Sequence, residues 1–263
     1  MKLTDHKAQY SNSTNLKSRA NLHARYANKN WFDWVARQID MPDGNDVLDV
    51  GCGGGWFWAS AAKHYPDNLK ITLVDTSEGM VTEAFGNLTR NGQYSQVVGK
   101  TADIINLPFD DGSFDTAIAM HMLYHVADPV AAIAEVKRVL RPGGLIALTT
   151  NSDDNLRELF ELGAETFGGG ADDPAARAFS SFTAQELLKS GFEDVRVHQF
   201  EDEYAISDVE DVFLYLTSFP PGSEATKPQL QTLNRLISKR FAKGGGVFKV
   251  RREGSLITGQ ARG

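Results

Sequence analysis

The stretch "VLDVGCGGGWFWAS", residues 47–60, decides the fold of this chain. Apolar residues and one acid lead into a turn with glycines at 51, 53, 54 and 55, and a helix-forming run follows. Glycines in such a turn let a ligand approach the backbone closely at the carboxyl end of a strand. The pattern therefore predicts a strand, a ligand-binding turn and a helix, in that order.

The spacing of these glycines argues against two common nucleotide sites. Gly51, Gly53 and Gly55 are one residue tighter than the G-x-G-x-x-G pattern of dinucleotide sites, which disfavours a nicotinamide dehydrogenase. A P-loop would continue with Lys and Ser or Thr, whereas Trp56 and Phe57 follow here. These residues alone leave open a second interpretation, a tight turn whose glycines only allow close helix packing.

Strand and helix patterns alternate on both sides of the glycine turn. Apolar runs predict strands at residues 46–50, 70–75, 95–99, 114–120 and 143–150, and the helical patterns fall at 56–65, 78–90 and 129–140. Strands that alternate with helices of this length form βαβ units, hence a doubly wound α/β sheet with helices on both faces. Right-handed crossovers then place the carboxyl ends of the strands along one edge.

The segments outside this repeat predict additions to the main domain. Residues 1–42 are expected to form a helical lead-in or lid, and residues 43–263 the Rossmann-like domain. Irregular stretches near 151–182 and 204–242 are too long for ordinary connections and predict cap segments, the second containing two helices. A helix at 182–192 and a strand at 193–200 lie between them, and residues 247–261 predict two short strands or one interrupted strand.

Composition excludes several classes of protein. The net charge of −7 over 263 residues argues against a nucleic-acid partner, which would require a basic surface. The single cysteine, Cys52, excludes an internal disulfide framework and any CxxC metal site. No apolar run is long enough to cross a bilayer and the first residues lack a signal pattern, so the expected location is the cytoplasm without membrane contact.

Acidic residues follow the second and third predicted strands. Asp75, next to Thr76, would accept both hydroxyls of an unphosphorylated ribose. Asp103 would accept a hydrogen bond from an adenine amino group, beside the backbone N–H donors of Ala102 to Ile104. Each acid alone is better explained as a helix cap or turn residue. Their order after successive strand ends favours an adenosine site.

Four segments together resemble a known family. VLDVGCGGG, LVDTS, TADIINLPFDDGSFD and LRPGGLIALTT resemble the class I S-adenosylmethionine-dependent methyltransferases, in the branch that acts mostly on small molecules. The resemblance covers about residues 45–150 in order. It implies a Rossmann-like seven-stranded sheet with the last strand antiparallel, S-adenosyl-L-methionine as the cofactor and a small molecule as the methyl acceptor.

The resemblance also implies a role for each residue along the sheet edge. The amino-acid end of the cofactor would face Asp49 and the turn, with Asp75 at the ribose, Asp103 at the adenine, and Met120 and His121 near the sulfonium. Met80 would pack on the adenine face, with a core role as the alternative. The full set of predicted cofactor contacts is Asp49, Gly51, Cys52, Gly53, Asp75, Thr76, Met80, Ala102, Asp103, Ile104, Met120 and His121, with Arg19 and Tyr26 from the lead-in.

Simpler explanations compete for three members of this set. Cys52 is interpreted as a small residue in a tight turn, because no histidine in the sequence is placed to activate it. Arg19 would meet the methionine carboxylate and Tyr26 would help to close the site. A solvated helix face with ordinary aromatic packing explains the lead-in residues equally well.

Methyl transfer from a sulfonium is an in-line displacement that requires no metal. A base is needed only where the acceptor must lose a proton, and His121 is the candidate catalytic residue, with a cofactor-wall role as the alternative. His125 follows at a spacing that brings pairs together on a helix, but no third ligand accompanies the two histidines. The sequence therefore predicts no metal site.

Two further functions remain as alternatives. An RNA or protein methyltransferase is disfavoured by the acidic balance and by the absence of an NPPY-type motif. A methyltransferase-like protein that binds the cofactor without turnover would keep the same glycine turn and acids. The sequence leaves open the acceptor, the atom that receives the methyl group and the oligomeric state.

Overall fold

The computed structural model describes residues 21–90, 92–94 and 96–263. The helices are α1 (residues 21–26), α2 (Trp31–Ala36), α3 (Trp56–Ala61), α4 (Glu78–Arg90), α5 (Pro129–Val139), α6 (Arg157–Phe167), α7 (Pro174–Ala178), α8 (Ser181–Lys189), α9 (Val209–Leu216) and α10 (Lys227–Lys243). The strands are β1 (Asp46–Val50), β2 (Lys70–Asp75), β3 (Gln96–Thr101), β4 (Phe114–Met120), β5 (Leu140–Asn151), β6 (Phe192–Ile206) and β7 (Phe248–Ala261).

The strands form one seven-stranded sheet in the order β3-β2-β1-β4-β5-β7-β6. The pairs β1–β2, β1–β4, β2–β3 and β4–β5 are parallel, and β7 pairs antiparallel with β5. The Rossmann-like sheet with an antiparallel last strand is therefore confirmed. Because β2 and β4 flank β1, the order of the strands reverses between β1 and β4.

Side chains of β1 alternate between two buried clusters. Leu48 and Val50 join a cluster with Ala132 and Val136 of α5, on one face of the sheet. Val47 joins the other cluster, with residues of α2, α3 and α4. This alternation follows from the two-residue period of a strand, and it shows that helices cover both faces. A parallel sheet needs this double cover because its strands are apolar on both sides.

The chain divides into two compact units. The first contains the described residues up to Lys29 together with Asp153–Arg177 and Glu201–Glu253, and the second contains the rest. The two predicted cap segments fall largely in the first unit. Its core joins α1, α6, α9 and α10 through buried side chains that include Leu22, Leu159, Leu216 and Ile237.

The second unit contains α2, α3, α4, α5 and α8 with β1 to β5 and the inner portions of β6 and β7. The division therefore passes through β6 and β7. The residue predictions for β1, β2, α4 and β4 match the structure at both ends, while the regular helices α6 and α7 lie in a stretch predicted to be irregular. β7 is one uninterrupted strand rather than two short ones. Among the described residues, no helix is both long and apolar enough to cross a membrane.

Candidate functional site

The order of the strands reverses between β1 and β4, so a ligand-binding crevice is expected at the carboxyl ends of these two strands. Open α/β sheets bind ligands at such a point, because the loops leaving the two strands turn to opposite faces. The glycine turn begins at Gly51, directly after β1, and His121 directly follows β4. Both segments belong to the second unit.

The glycine turn adopts backbone conformations that other residues rarely enter. Gly51, Gly53 and Gly55 have φ of 68°, 51° and 75°. The Cys52 N–H donates to the carbonyl oxygen of Val74 at 3.0 Å, and the Gly53 N–H donates to Oδ2 of Asp75 at 3.0 Å. These two bonds fasten the turn to the end of β2, so its backbone is fixed beside the next strand.

The glycines of the turn serve different needs. A Cβ on Gly55 would lie 3.1 Å from Cα of Ala84, so this glycine lets the turn approach the backbone of α4. A Cβ on Gly53 would meet nothing within 4 Å, so this residue borders open space. Gly55 thus meets the packing explanation, and Gly53 has the geometry of a ligand-facing position.

Asp49 is buried just before the turn, with only 2% of its surface exposed. The indole Nε1 of Trp58 donates to its Oδ2 at 2.8 Å, while Oδ1 has no hydrogen-bond partner among the described residues. Burial raises the pKa of Asp49 to about 7, against the lowering effect of the Trp58 hydrogen bond. A buried acceptor without a partner is costly and marks a place where a donor belongs.

Asp75 closes the turn and is partly buried. Besides the bond from Gly53, its Oδ1 accepts the N–H of Ser77 at 2.9 Å. A carboxylate has about four lone-pair positions, so two acceptor positions remain beyond these bonds. Thr76 beside it is exposed.

The residues predicted to hold the adenine lie after β3. Asp103 is exposed, and its Oδ1 accepts the N–H of Ile105 at 3.2 Å in a local turn. The Ala102 N–H donates to the carbonyl oxygen of Asp75 at 3.1 Å, so this donor is already used within the protein. The Ile104 side chain is buried in the cluster that contains Leu48 and Val50, and Met80 is partly buried at the start of α4.

His121 has an uncommon backbone conformation for a residue with a side chain. Its φ is 53°, in the left-handed region, and its N–H donates to Oγ1 of Thr149 at 2.9 Å. Its ring lies 5.3 Å from that of Trp31 and 6.3 Å from that of Tyr124, measured between centroids. Strained conformations of this kind concentrate at functional sites. Met120 precedes it and packs against the cluster that contains Val47.

His121 and His125 do not share a helix. Only Leu123–His125 forms a short 3₁₀ turn, which begins after His121. The described residues contain no group of three or more His, Cys, Asp or Glu side chains arranged to hold a metal ion.

Met122 and Cys52 define the surroundings of Gly51. A Cβ on Gly51 would lie 2.7 Å from Cγ of Met122, so the thioether side chain covers this side of the turn. Burial raises the pKa of the Cys52 thiol, with further raising by Asp49 and Asp75. A thiol with a raised pKa is a poor nucleophile at neutral pH, in agreement with the interpretation of Cys52 as a turn residue.

The two predicted lid residues are not placed at this edge by any described contact. Arg19 lies outside the described residues. Tyr26 belongs to the first unit, where its hydroxyl donates to Oδ2 of Asp211 at 2.7 Å beside Arg25. A cofactor contact for Tyr26 stays a prediction.

The donor and acceptor set of this edge fits the adenosyl amino acid that the resemblance implies. The Oδ1 of Asp49, which has no partner among the described residues, suits an ammonium group. The remaining acceptor positions of Asp75 suit two hydroxyls, and the open face of Gly53 admits an atom close to the backbone. None of these positions is built for a phosphate, since no lysine or arginine among the described residues takes part.

Sequence reasoning missed three residues of the site: Trp58, Met122 and Thr149. Trp58 sits within a run of apolar helix residues, and nothing in that run distinguishes an indole that donates to a strand acid. Thr149, buried on β5, receives the backbone N–H of His121 only because β4 and β5 are neighbours in the sheet. A residue's partner on another strand is set by the register, which local sequence patterns do not specify.

Comparison with known proteins agrees with this geometry. Residues 48–148 match the family model described as a methyltransferase domain. The O-methyltransferase cnsE of Penicillium expansum is 34% identical over 121 residues, which are 46% of this chain and 43% of that protein. The 27-O-demethylrifamycin SV methyltransferase of Amycolatopsis mediterranei is 34% identical over 116 residues, 44% of this chain and 42% of that protein.

The matched region spans less than half the length of these two relatives. A solved structure, the YcgJ protein from Bacillus subtilis, superposes with a TM-score of 0.60 at 19% identity and covers 88% of this chain and 98% of its own. This likeness extends the agreement in fold beyond the matched domain to most of the chain.

Proposed function

We propose that this chain, whose residues 48–148 match a methyltransferase domain, transfers a methyl group from S-adenosyl-L-methionine to a small-molecule acceptor. The observation that carries this proposal is that three features lie together at the carboxyl ends of β1 and β2. These are the buried Asp49, one oxygen of which has no hydrogen-bond partner in the described part of the chain, the glycine turn, and Asp75 bonded to that turn.

Each feature supports one portion of the cofactor. An ammonium group would satisfy Oδ1 of Asp49 and bring a positive charge to a buried carboxylate, which compensates its burial. Gly53 would lie under the amino-acid portion, and Asp75 would accept the ribose hydroxyls. Asp103, Ile104 and Met80 would surround the adenine.

Support for a small-molecule acceptor comes from the relatives and from charge. One relative is named an O-methyltransferase, and another is named a 27-O-demethylrifamycin SV methyltransferase. The net charge of −7 opposes the phosphate contacts that an RNA substrate would require. The identity of the acceptor atom is left to experiment.

S-adenosyl-L-methionine supplies an electrophilic methyl group on a sulfonium when bound. The protein then needs to align an acceptor with that group and to keep water out, and alignment of this kind lowers a barrier by up to about 7–11 kcal/mol. His121, at the end of β4 and held by Thr149, would accept a proton from an acceptor that must lose one. This assignment makes His121 the catalytic residue of the proposal.

Titration calorimetry with S-adenosylhomocysteine tests the binding half of the proposal, and transfer of a labelled methyl group to a panel of phenols, amines and carboxylic acids tests the other half. We expect micromolar binding and transfer to at least one class of acceptor. Absence of binding would contradict the proposal outright. Binding without transfer to any member of the panel would count for a protein that holds the cofactor without turnover.

A further inference from the structure

Trp58 and Asp49 form a hydrogen-bonded pair in the protein interior rather than at its surface. Trp58 is 1% exposed and Asp49 is 2% exposed, and the bond between Nε1 and Oδ2 is 2.8 Å long. An indole N–H is a donor only, so this bond holds whether Asp49 is charged or neutral. The indole thus fixes one carboxyl oxygen and leaves the other, Oδ1, without a partner among the described residues.

Trp58 has little freedom to leave this position. Its ring contacts those of Phe57, Tyr65 and Tyr94, with centroid separations of 5.2, 6.2 and 5.6 Å. Edge-to-face rings at such separations pack favourably and resist reorientation. Gly55, the last residue of the glycine turn, is the N-cap of the helix α3 that carries Trp58, so the turn leads directly into this helix.

Three groups that face Asp49 determine how easily its carboxyl group becomes charged. Trp58 faces it from α3, Cys52 from the turn and Asp75 from the end of β2. The thiol is neutral because its pKa is raised, and Asp75 opposes a second negative charge. Within the part of the chain that the structure describes, no cation acts on Asp49, so its carboxylate form depends on the indole bond until a ligand arrives.

We propose that Trp58 is a positioning residue for the cofactor: by holding Oδ2 of Asp49 it aims the remaining oxygen at the ligand's ammonium group and makes binding depend on the protonation of Asp49. This inference rests on the proposed function and adds to it a residue and a pH dependence. Binding of an ammonium group favours the carboxylate, so the ligand displaces a proton from Asp49 wherever that group is protonated beforehand.

The direction of the pH effect follows from the raised pKa of Asp49, about 7. Below that pH the carboxyl is neutral before binding, and affinity for the ammonium ligand falls by up to about tenfold per pH unit. Above it the affinity is level as long as the ligand's amino group stays protonated. Removing the indole donor destabilises the carboxylate, moves the break to higher pH and weakens binding near neutrality by about tenfold.

The experiment compares three proteins: wild type, Trp58→Phe, and the matched control Trp56→Phe. Trp56 lies on the same helix but is 51% exposed. Calorimetry gives Kd for S-adenosylhomocysteine and for 5′-methylthioadenosine, which lacks the amino-acid portion, at pH values on both sides of 7. We expect the affinity of wild type for S-adenosylhomocysteine, but not for 5′-methylthioadenosine, to fall as the pH drops below about 7. The pH at which this fall begins should be higher in Trp58→Phe and unchanged in Trp56→Phe.

The outcomes separate this inference from the function on which it rests. If neither compound binds wild type, the proposed function fails. If S-adenosylhomocysteine binds but wild type and Trp58→Phe share one pH profile, the function stands and the role of Trp58 is wrong. That role is equally wrong if 5′-methylthioadenosine shows the same pH break, because this compound has no ammonium group for Asp49.

A measurement on wild type covers the case in which Trp58→Phe does not fold. The chain has four tryptophans, so Phe replacements at the other three assign the Trp58 indole N–H signal by elimination in nitrogen-edited NMR spectra. We expect this signal to titrate with a midpoint near 7 and to lose that titration when saturated with S-adenosylhomocysteine. If the Trp58 indole N–H signal changes neither with pH nor on addition of S-adenosylhomocysteine, the proposal is overturned.

Discussion

The backbone N–H of Gly53 lies 3.0 Å from Oδ2 of Asp75, so the turn that follows β1 is bonded to the acid that ends β2. The same carboxylate accepts the N–H of Ser77 through its other oxygen. Asp75 therefore holds the turn in place as well as presenting acceptors at the crevice. A substitution at Asp75 acts on both tasks together.

We expect Asp75→Ala to abolish the rise in Tm that S-adenosyl-L-methionine gives to wild type and to lower the stability of the unliganded protein by about 1–2 kcal/mol, since two N–H groups lose their acceptor. Thermal unfolding with and without the cofactor measures both effects. Asp67→Ala is the control, because Asp67 is exposed and precedes β2, at the opposite end of that strand from Asp75. Equal cofactor stabilisation of Asp75→Ala and wild type would show that the ribose assignment is wrong.

Gly53→Ala and Gly55→Ala should differ although both residues have positive φ. The backbone strain costs each about 1–2 kcal/mol. Only Gly55→Ala adds a Cβ 3.1 Å from backbone of α4, so it should be the less stable variant in urea unfolding. Gly53→Ala should retain more stability and yet lose affinity for S-adenosylhomocysteine at least tenfold, because its Cβ enters the open side of the turn. Indistinguishable binding of Gly53→Ala and wild type would remove Gly53 from the ligand site.

Asp49→Asn should stabilise the unliganded protein at alkaline pH. The pKa of Asp49 is about 7 in the folded protein and near 3.9 in an unfolded chain, so the folded state holds a proton that the unfolded state has released. The stability that this group contributes is complete below about pH 4 and is lost as pH rises through 7. Asparagine does not titrate.

The difference in unfolding free energy between Asp49→Asn and wild type should therefore grow by up to about 4 kcal/mol from pH 4 to pH 8, at about 1.4 kcal/mol per unit of pKa shift. Urea unfolding at a series of pH values provides the measurement. The variant should also bind S-adenosylhomocysteine more weakly than wild type at pH 8. Parallel stability curves for the two proteins would mean that Asp49 is ionised normally.

His121→Asn should keep the backbone of the strand end, because asparagine tolerates the left-handed region that His121 occupies at φ 53°. If the imidazole accepts a proton from the acceptor, kcat at saturating acceptor should fall about 100-fold or more while cofactor affinity changes less than threefold. His121→Ala should behave alike in kcat but be less stable. A loss confined to cofactor affinity would assign His121 to the wall of the cofactor site instead.

The parallel half of the sheet could be predicted from sequence because its signals are local. Asp46–Val50 and Phe114–Met120 are short apolar runs bounded by turn residues, and α5 begins with the cap residue Asp128 followed by Pro129. In such segments the hydrophobic period, the cap and the packing all favour the same structure.

Other elements carry no comparable signal. The helix α6 starts after Leu156, which has a φ of 51° and supplies no side-chain cap, so its beginning is not visible in the sequence. The polar run at Arg251, Arg252 and Glu253 favours a break in the tail, but Arg252 is buried and bonds to Oδ1 of Asn155, which keeps β7 continuous. The bond between Trp58 and Asp49 is equally invisible in the sequence, because it depends on how α3 packs on β1.

The composition of the first unit bears on how the chain acquires its structure during synthesis. Its core joins Leu22, near one end of the sequence, to Val250, near the other. A ribosome must therefore release the chain through Val250 before that core can close, whereas the strands from Asp46 to Asn151 emerge in an uninterrupted series and can begin to pair earlier. Until Val250 is released, apolar residues of this core that are synthesised earlier, such as Leu22, lack their final partners and can associate with other chains.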